Sequence, residues 1–500
     1  MVVAIRADLA QDAIREPSDP IGHQSCEQCA RSHCHFSFAI LRAMSQVALT
    51  PNSRAFREWL APSVPLFMDV YLFNWTNSER FPGEKPHLVQ LGPYRFKEHR
   101  RHVNVTWHNQ NGSLAYRTKR TWHFHHSSNG SLSDNITILN IIAASAVHNA
   151  RHWSFIEQKT LSMALAMFGQ HMAVSKLARE LLFDGYDDAI LDVAKSLPAS
   201  TTGGAPLVDK FGLFYDRNNS INTDGYMEVT TGLRSGTLPG QVLRWNHEDH
   251  LPFYSGECSK LAGSAGEFMP RDLTEQSTLS VFVPDLCRVL RLTHQRSGLI
   301  SGLPYHRYAF TPEGFDNSSS THHNSCFCNG ECMWGGVMNV SACRFGSPSF
   351  ISLPHFLHGD PALRAAVTGM QPDEEKHSFF FSVEPKLGVP LEVGGRFQLN
   401  ILIEPTPHIA LYENVPKMLF PIMWVNQNVR TDESIISDLR YARAILDWGA
   451  TVCACTALLL TVLVAMATCC WRKRKYSSPL DIGLLNEKPK DEAEIKLNPM

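Results

Sequence analysis

Residues 449–470 carry no charged side chain and are followed at once by Trp471 and the basic run Arg472, Lys473, Arg474 and Lys475. At a helical rise of ~1.5 Å per residue such a run reaches ~33 Å, enough to cross a hydrocarbon layer of ~30 Å. A buried core helix seldom runs so long without a charge, and a Lys/Arg cluster on one side only is the mark of a cytosolic flank. The expectation is a transmembrane helix over 449–471, a cytoplasmic tail over 472–500, and a large domain on the other face of the membrane.

Composition narrows that domain. With 44% hydrophobic and 10% aromatic residues the chain can bury a substantial core, and a formal net charge of -2 leaves no global attraction for nucleic acid. Acceptor sequons begin at Asn74, Asn104, Asn111, Asn129, Asn135, Asn218, Asn317 and Asn339, with none in the tail. That clustering points to an exported, glycosylated ectodomain over residues 50–448. The cysteines agree. Cys258, Cys287, Cys326, Cys328, Cys332 and Cys343 form an even set in one region, as a disulfide framework would, and leave fifteen pairings open.

Residues 1–49 hold no apolar run long enough for a signal peptide or a membrane span, which conflicts with export and suggests an alternative or misassigned start for this atypical segment. Cys26, Cys29, His33 and Cys34 could hold zinc, but no second paired half follows at finger spacing. From Trp59 the character turns to β-structure. Residues 66–75 suit a strand, and Val103, Val105 and Trp107 alternate with Asn104, Thr106 and His108, which leaves the sequon on the wet face. Asn111-Gly112 supplies the residues of a hairpin turn toward Leu114 and Tyr116. Over 151–197 the period becomes helical. Leu161, Leu165, Phe168 and Met172 form one stripe and Val174, Leu177 and Leu181 another, with Gly185 placed to end the second helix. Such a stripe packs against other helices, or grips a ligand. Turn-rich sheet then continues to Pro421, and residues 432–448 read as a helix leading into the membrane.

No enzymatic constellation emerges. His247 and His250 are three apart, not the four that place a zincin pair on one helical face, and the flanking Asn246 and Pro252 favour a turn. His123, His125 and His126 fall in a strand, where solvated histidines are the ordinary case; no catalytic, metal or cofactor residue is assigned. Cys453, Cys455, Cys469 and Cys470 lie in or beside the membrane run, and Cys469 and Cys470 at its cytosolic edge suit palmitoylation. Asp481, Leu484 and Leu485 make an acidic dileucine pattern of the kind sorting adaptors read.

The runs Tyr71-Leu72-Phe73-Asn74-Trp75-Thr76-Asn77, Gly83-Glu84-Lys85-Pro86 and Leu91-Gly92-Pro93-Tyr94-Arg95-Phe96 resemble the signature of the class B scavenger receptors. That family includes fatty-acid translocase, the high-density-lipoprotein receptor, a lysosomal integral membrane protein and insect sensory neuron membrane proteins. The resemblance continues through Arg179-Glu180-Leu181-Leu182, Cys326-Phe327-Cys328 and Ile351-Ser352-Leu353-Pro354-His355-Phe356, and spans roughly residues 59–474. Residues 251–271 look most like insect epithelial-membrane or croquemort-type members. It implies an α+β ectodomain, an irregular antiparallel β-barrel with a helical-bundle cap over 151–197, pierced by a hydrophobic tunnel. It also implies the pairs Cys258 with Cys326, Cys287 with Cys343 and Cys328 with Cys332. The implied ligands are lipids, lipoproteins or apoptotic-cell surfaces, at the plasma membrane. The alternatives are a protein cargo in an endosomal or lysosomal membrane, and a chemosensory role. Two departures stand out: no match to the family's first membrane helix in residues 1–49, and no lysine at 167–169, where some fatty-acid-binding members carry one; Lys176 is the nearest.

Overall fold

The computed structural model describes residues 49–196, 208–234, 237–311, 314, 324–328 and 332–476. The chain divides into two compact units between Arg443 and Ala444. The first is built on a 13-stranded sheet whose path runs β7-β6-β3-β2-β1-β15-β14-β13-β10-β9-β8. Its early strands are β1 (Leu66–Trp75), β2 (Leu88–His108) and β3 (Ser113–Phe124). Later come β6 (Tyr226–Thr230), β7 (Val242–Trp245), β8 (Leu279–Val283), β9 (Arg288–Ile300), β10 (Leu303–Ala309), β13 (Phe380–Glu384), β14 (Val389–Ile403) and β15 (Met418–Arg430). Short strands β11 (Val337–Asn339) and β12 (Ser349–Ser352) attach through β14. The neighbours along this path pair antiparallel.

What closes the sheet is not a strand but residues 263–265. Val242 donates to the Gly263 carbonyl at 2.9 Å on one side, while Ser264 donates to Ser280 and Phe282 to Ser264, both at 2.9 Å, on the other. The two end strands are thereby stitched together, leaving little open edge. The expected antiparallel β-barrel is what forms.

The hairpin read at Asn111-Gly112 joins β2 to β3, with Gly112 at φ +64 where a side chain would be strained. Along β2, Val103, Val105 and Trp107 are half-buried while Asn104 and Thr106 are exposed, and the register slips by a bulge there.

A cap interrupts the barrel between β3 and β6. It holds β4 (Asn135–Leu139), α2 (Ile141–Ala150), α3 (Phe155–Met167), β5 (Ala173–Leu177) and α4 (Ala189–Lys195); α1 (Arg54–Leu60) precedes the barrel. One expectation fails. Val174 and Leu177 belong to a strand, because Ala173–Leu177 pairs residue for residue with Asn135–Leu139. Long-range backbone pairing overrides a helical spacing that is only eight residues long. Leu181 and Leu182 instead occupy a π-helical turn, Glu180–Asp184, which does end at Gly185 with φ +72. Ile136, Ile138, Val147, Leu165 and Leu181 of the cap share one apolar core with Val70, Leu72 and Phe73 of β1 and with Ile401 and Phe420.

Helix α5 (Glu433–Tyr476) follows β15. Within it the 21 residues Ala454–Arg474 are long and apolar enough to cross a membrane. Leu458, Leu459 and Leu460 are exposed there, as lipid-facing side chains are.

Candidate functional site

Two features of the barrel unit combine chemistry with geometry: an apolar surface on the cap and a buried polar wall. Helix α3 starts at a complete capping box. The Ser154 amide donates to Glu157 at 2.8 Å, and Glu157 N returns the bond to Ser154 Oγ. The carboxylate sits low in its range because Ser154 binds its ionised form. From this start the helix carries two stripes about 200° apart. Leu161 and Leu165 turn into the core, while Ile156, Met163 and Met167 follow at i, i+7 and i+11 on the opposite face. Those three are 75%, 68% and 74% exposed, beside exposed Phe155 and Phe168. Large apolar side chains so grouped on a soluble face mark a binding surface. Of the expected stripe, Leu161 and Leu165 pack inward, but Phe168 closes the helix and is exposed, and Met172 falls beyond the helix end; what sequence reasoning missed is the second stripe, whose signal was the pair Met163 and Met167.

The surface is held rigidly. Asn140 caps α2 by accepting from Ala143 N at 3.1 Å, and donates to Gln170 Oε1 at 2.7 Å. Gln170 in turn reaches Asp188, the N-cap of α4, at 3.3 Å. One run of side chains therefore links the ends of all three cap helices. Ser162 accepts from Ala410 N at 3.0 Å, tying α3 to the β14–β15 connection. Lys176 lies over the Tyr186 ring at 4.8 Å, a cation–π contact that engages it. Residues 167–169 form the helix tip, where Gly169 has φ +61 and open space around it.

The polar wall is assembled from β2, β3, the segments before β6 and β8, and the turn after β8. Arg120 reaches Asp224 at 2.7 Å, Glu98 at 4.0 Å and Asp285 at 3.9 Å. Glu98 also takes Arg100 at 2.8 Å, Trp122 Nε1 at 3.2 Å and Gln427 Nε2 at 3.0 Å. Buried charges so paired avoid the cost of isolation. A small polar cavity of about 50 Å³ adjoins them, lined by His102, Tyr116, Glu267 and Asp224 among others. Burial holds the His102 imidazole down at about 3, with the nearby guanidinium of Arg100 adding to it. Burial pushes the Glu267 carboxyl up to about 7. Glu267 Oε2 and Asp224 Oδ1 find no hydrogen-bond partner among the described residues.

The other sequence-derived residues are scattered. Cys258 is joined to Cys326, Cys287 to Cys343 and Cys328 to Cys332, with Cα separations of 5.9, 6.5 and 4.7 Å. Asn104, Asn111, Asn129 and Asn135 are exposed, while Asn74 and Asn339 are half-buried. Exposed Asn218 braces β3, accepting from Trp122 N at 2.9 Å and donating to Trp122 O at 3.2 Å. His125 and His126 lie with ring centres 4.1 Å apart at a tilt of 34°, and His123 meets His99 instead. His247 lies in a turn at φ +75 against Tyr226, and His250 turns to Asp249 at 3.0 Å, so neither faces the other. Cys455, Cys469 and Cys470 are exposed on α5. Asn317, Asp481, Leu484, Leu485, and Cys26, Cys29, His33 and Cys34 lie outside the described residues.

Comparison with known proteins bears on this arrangement. Residues 34–471 match the CD36 family. The chain is 36% identical over 431 residues to Protein peste of Drosophila melanogaster, covering 85% of this chain and 76% of that one. It is 32% identical over 391 residues to Scavenger receptor class B member 1 of Cricetulus griseus, covering 77% and 75%. To Lysosome membrane protein 2 of Rattus norvegicus it is 30% identical over 400 residues, covering 79% and 81%. The barrel, its cap and most of the apolar helix after β15 lie within the matched span, and the chain belongs to the CD36 family, the class B scavenger receptors.

Proposed function

We propose that this chain is a membrane-anchored scavenger receptor that captures lipid or lipoprotein at the cap and passes lipid through the barrel to the bilayer. The observation that carries it is the outward stripe of Ile156, Met163 and Met167 on α3. A rigid apolar surface grouped along one helix face suits a particle whose own surface is lipid. Transfer within protein spares an acyl chain contact with water, worth ~0.8 kcal/mol for each methylene. The same proposal has the sequon asparagines glycosylated, the three cystine pairs oxidised outside the cell, and Cys469 and Cys470 palmitoylated at the cytosolic end of α5.

The test is uptake of fluorescent lipid from lipoprotein particles by cells expressing the full chain. Replacing Ile156, Met163 and Met167 together by Glu should lower uptake several-fold at equal surface abundance. Unchanged uptake would refute the cap as the capture surface. A glycosidase mobility shift on the same cells establishes export; without a shift the ectodomain is not outside.

A second reading draws on the relative named Lysosome membrane protein 2. There the chain would serve an endosomal or lysosomal membrane, steered by Asp481, Leu484 and Leu485. Replacing both leucines by Ala should move the protein to the cell surface; an unchanged distribution would remove this reading.

A further inference from the structure

The strands β9 and β10 and the segment before β8 bring together three side chains that the receptor function does not use. Glu275, His294 and His306 each offer one donor atom, and these atoms lie within 4.8 Å of one another. The convergence depends on a defect in the sheet. His306 pairs with Ser297 and Arg307 with Arg296, but Tyr308 pairs with His294, so Gln295 is the extra residue of a β-bulge. Residues 294 and 297 are three apart and would point to opposite faces of a regular strand. The bulge turns His294 onto the face of Ser297, His306 and Tyr308. Bulges re-aim side chains in this way beside functional sites. Glu275 is brought over the same face because the buried Tyr308 hydroxyl donates to the Thr274 carbonyl at 2.8 Å.

At the centre stands a single hydroxyl. Ser297 Oγ lies 2.9 Å from His294 Nε2, 2.7 Å from His306 Nδ1 and 3.2 Å from Glu275 Oε1. One oxygen thus marks a point close to all three donors. Three atoms 4.8 Å apart lie about 2.8 Å from their common centre, so each need move inward by about 0.7 Å to reach the 2.0–2.1 Å of zinc ligation. Ser297 is exposed, so its side chain can rotate aside or become a fourth ligand. Two imidazoles, one carboxylate and an open position form the donor set that suits zinc-class ions.

We propose that Glu275, His294 and His306 form a binding site for a zinc-class divalent ion, which clamps the segment before β8 onto the β9–β10 hairpin. Metal ligation requires neutral imidazoles.

The experiment uses the full chain without a polyhistidine tag, purified in detergent, stripped with chelator and titrated with cobalt(II), then zinc, at pH 7.5. Wild type should bind one equivalent of cobalt with a visible band that zinc abolishes. His294→Asn and His306→Gln should each weaken binding at least tenfold with the near-ultraviolet dichroism intact, and Glu275→Gln should weaken it less. Ser297→Ala should retain the band, which sets a metal site apart from a hydrogen-bonded hub that the serine alone would hold. His123→Ala should bind as wild type does. Absence of saturable binding in wild type, or equal affinity in the His294 and His306 variants, would overturn the proposal.

Discussion

Glu267→Gln should make the protein acid-labile although the change is nearly isosteric. The wild-type wall holds two groups whose linkage runs in opposite directions. His102, almost wholly buried, has its folded value near 3, below an unfolded value of ~6.5. Its unfolded form therefore takes up a proton as pH falls through 6.5 while the folded form does not, and stability is lost from there downward. At pH 5 that difference amounts to about 2 kcal/mol. Glu267 has its folded value near 7, above an unfolded value of ~4.3. Its folded form gains the proton first, so stability rises as pH falls from about 7 toward 4.3. Because 28% of its side chain still meets solvent, the full linkage gain is discounted to about 1 kcal/mol. The two offset in one window, with His102 Nε2 and Glu267 Oε1 3.9 Å apart.

Removing the carboxyl leaves the histidine uncompensated. The variant should lose about 2 kcal/mol between pH 7.4 and pH 5, against about 1 kcal/mol from this pair in wild type. With an unfolding entropy of ~2.1 cal/mol/K per residue over ~400 residues, the variant's Tm should fall by roughly 2 °C over that interval. The assay is tryptophan-monitored thermal unfolding of the full chain in detergent at pH 7.4, 6.0 and 5.0. His102→Asn should do the reverse and gain stability on acidification. If all three proteins showed one and the same pH dependence, the assignment of opposed groups to this wall would be wrong.

Other expectations are sharper in outcome. Gly369→Ala should abolish surface expression, measured by antibody on intact cells, because its φ is +98 and a Cβ there would stand 1.9 Å from the Leu88 carbonyl oxygen. Gly169→Ala, with positive φ but open space, should cost only about 1 kcal/mol and leave expression intact. Glu98→Gln should destabilise by about 3–5 kcal/mol in denaturant unfolding, because it leaves Arg100 and Arg120 in a wall that no longer balances them. Replacing Cys258 and Cys326 by Ser opens a crosslink spanning 68 residues, worth roughly 4 kcal/mol in the chain-entropy account, and should lower Tm under oxidising conditions only.

How much of this was legible in the sequence follows from the range of the interactions. The long apolar helix and the β2–β3 hairpin are local, set by a charge-free run and by Asn111-Gly112 between alternating residues, and both were readable. Barrel closure was not, since it rests on Gly263 and Ser264 bonding to strands on either side of them, and no periodicity records that. The helical spacing of Val174 and Leu177 misled for the same reason: their partner strand lies nearly forty residues earlier. The wall was hidden because Glu98, Arg120, Asp224 and Asp285 come from four separated places, each of which reads alone as an ordinary surface charge. The Glu275, His294 and His306 cluster was hidden by the bulge at Gln295, which breaks the very alternation that a sequence reader uses.

The family signature has a physical meaning that explains why it names the family and not the ligand. Tyr71 stacks on Trp424 with ring centres 3.9 Å apart, and Trp75 is fully buried. Asn74 accepts from Thr137 N at 2.9 Å, and Asn77 accepts from His87 N at 2.7 Å and donates to Lys85 O at 2.9 Å. Gly92, at φ +112, lets the chain pass Val70, where a Cβ would come within 2.7 Å of the carbonyl oxygen. The Pro93 carbonyl takes the Asn129 and Gly130 amides at 3.2 Å, and Tyr94 donates to Asp134 at 2.9 Å. Every one of these contacts fastens β1 and β2 to each other, to the far strands or to the base of the cap. None reaches the outward stripe of α3. The residues that make the chain recognisable are those that hold the cap in place, whereas Ile156, Met163 and Met167 touch solvent and are free to vary without loosening the barrel. With the outward stripe as the proposed capture surface, exchanging these three side chains between relatives should move ligand preference while leaving thermal stability nearly unchanged.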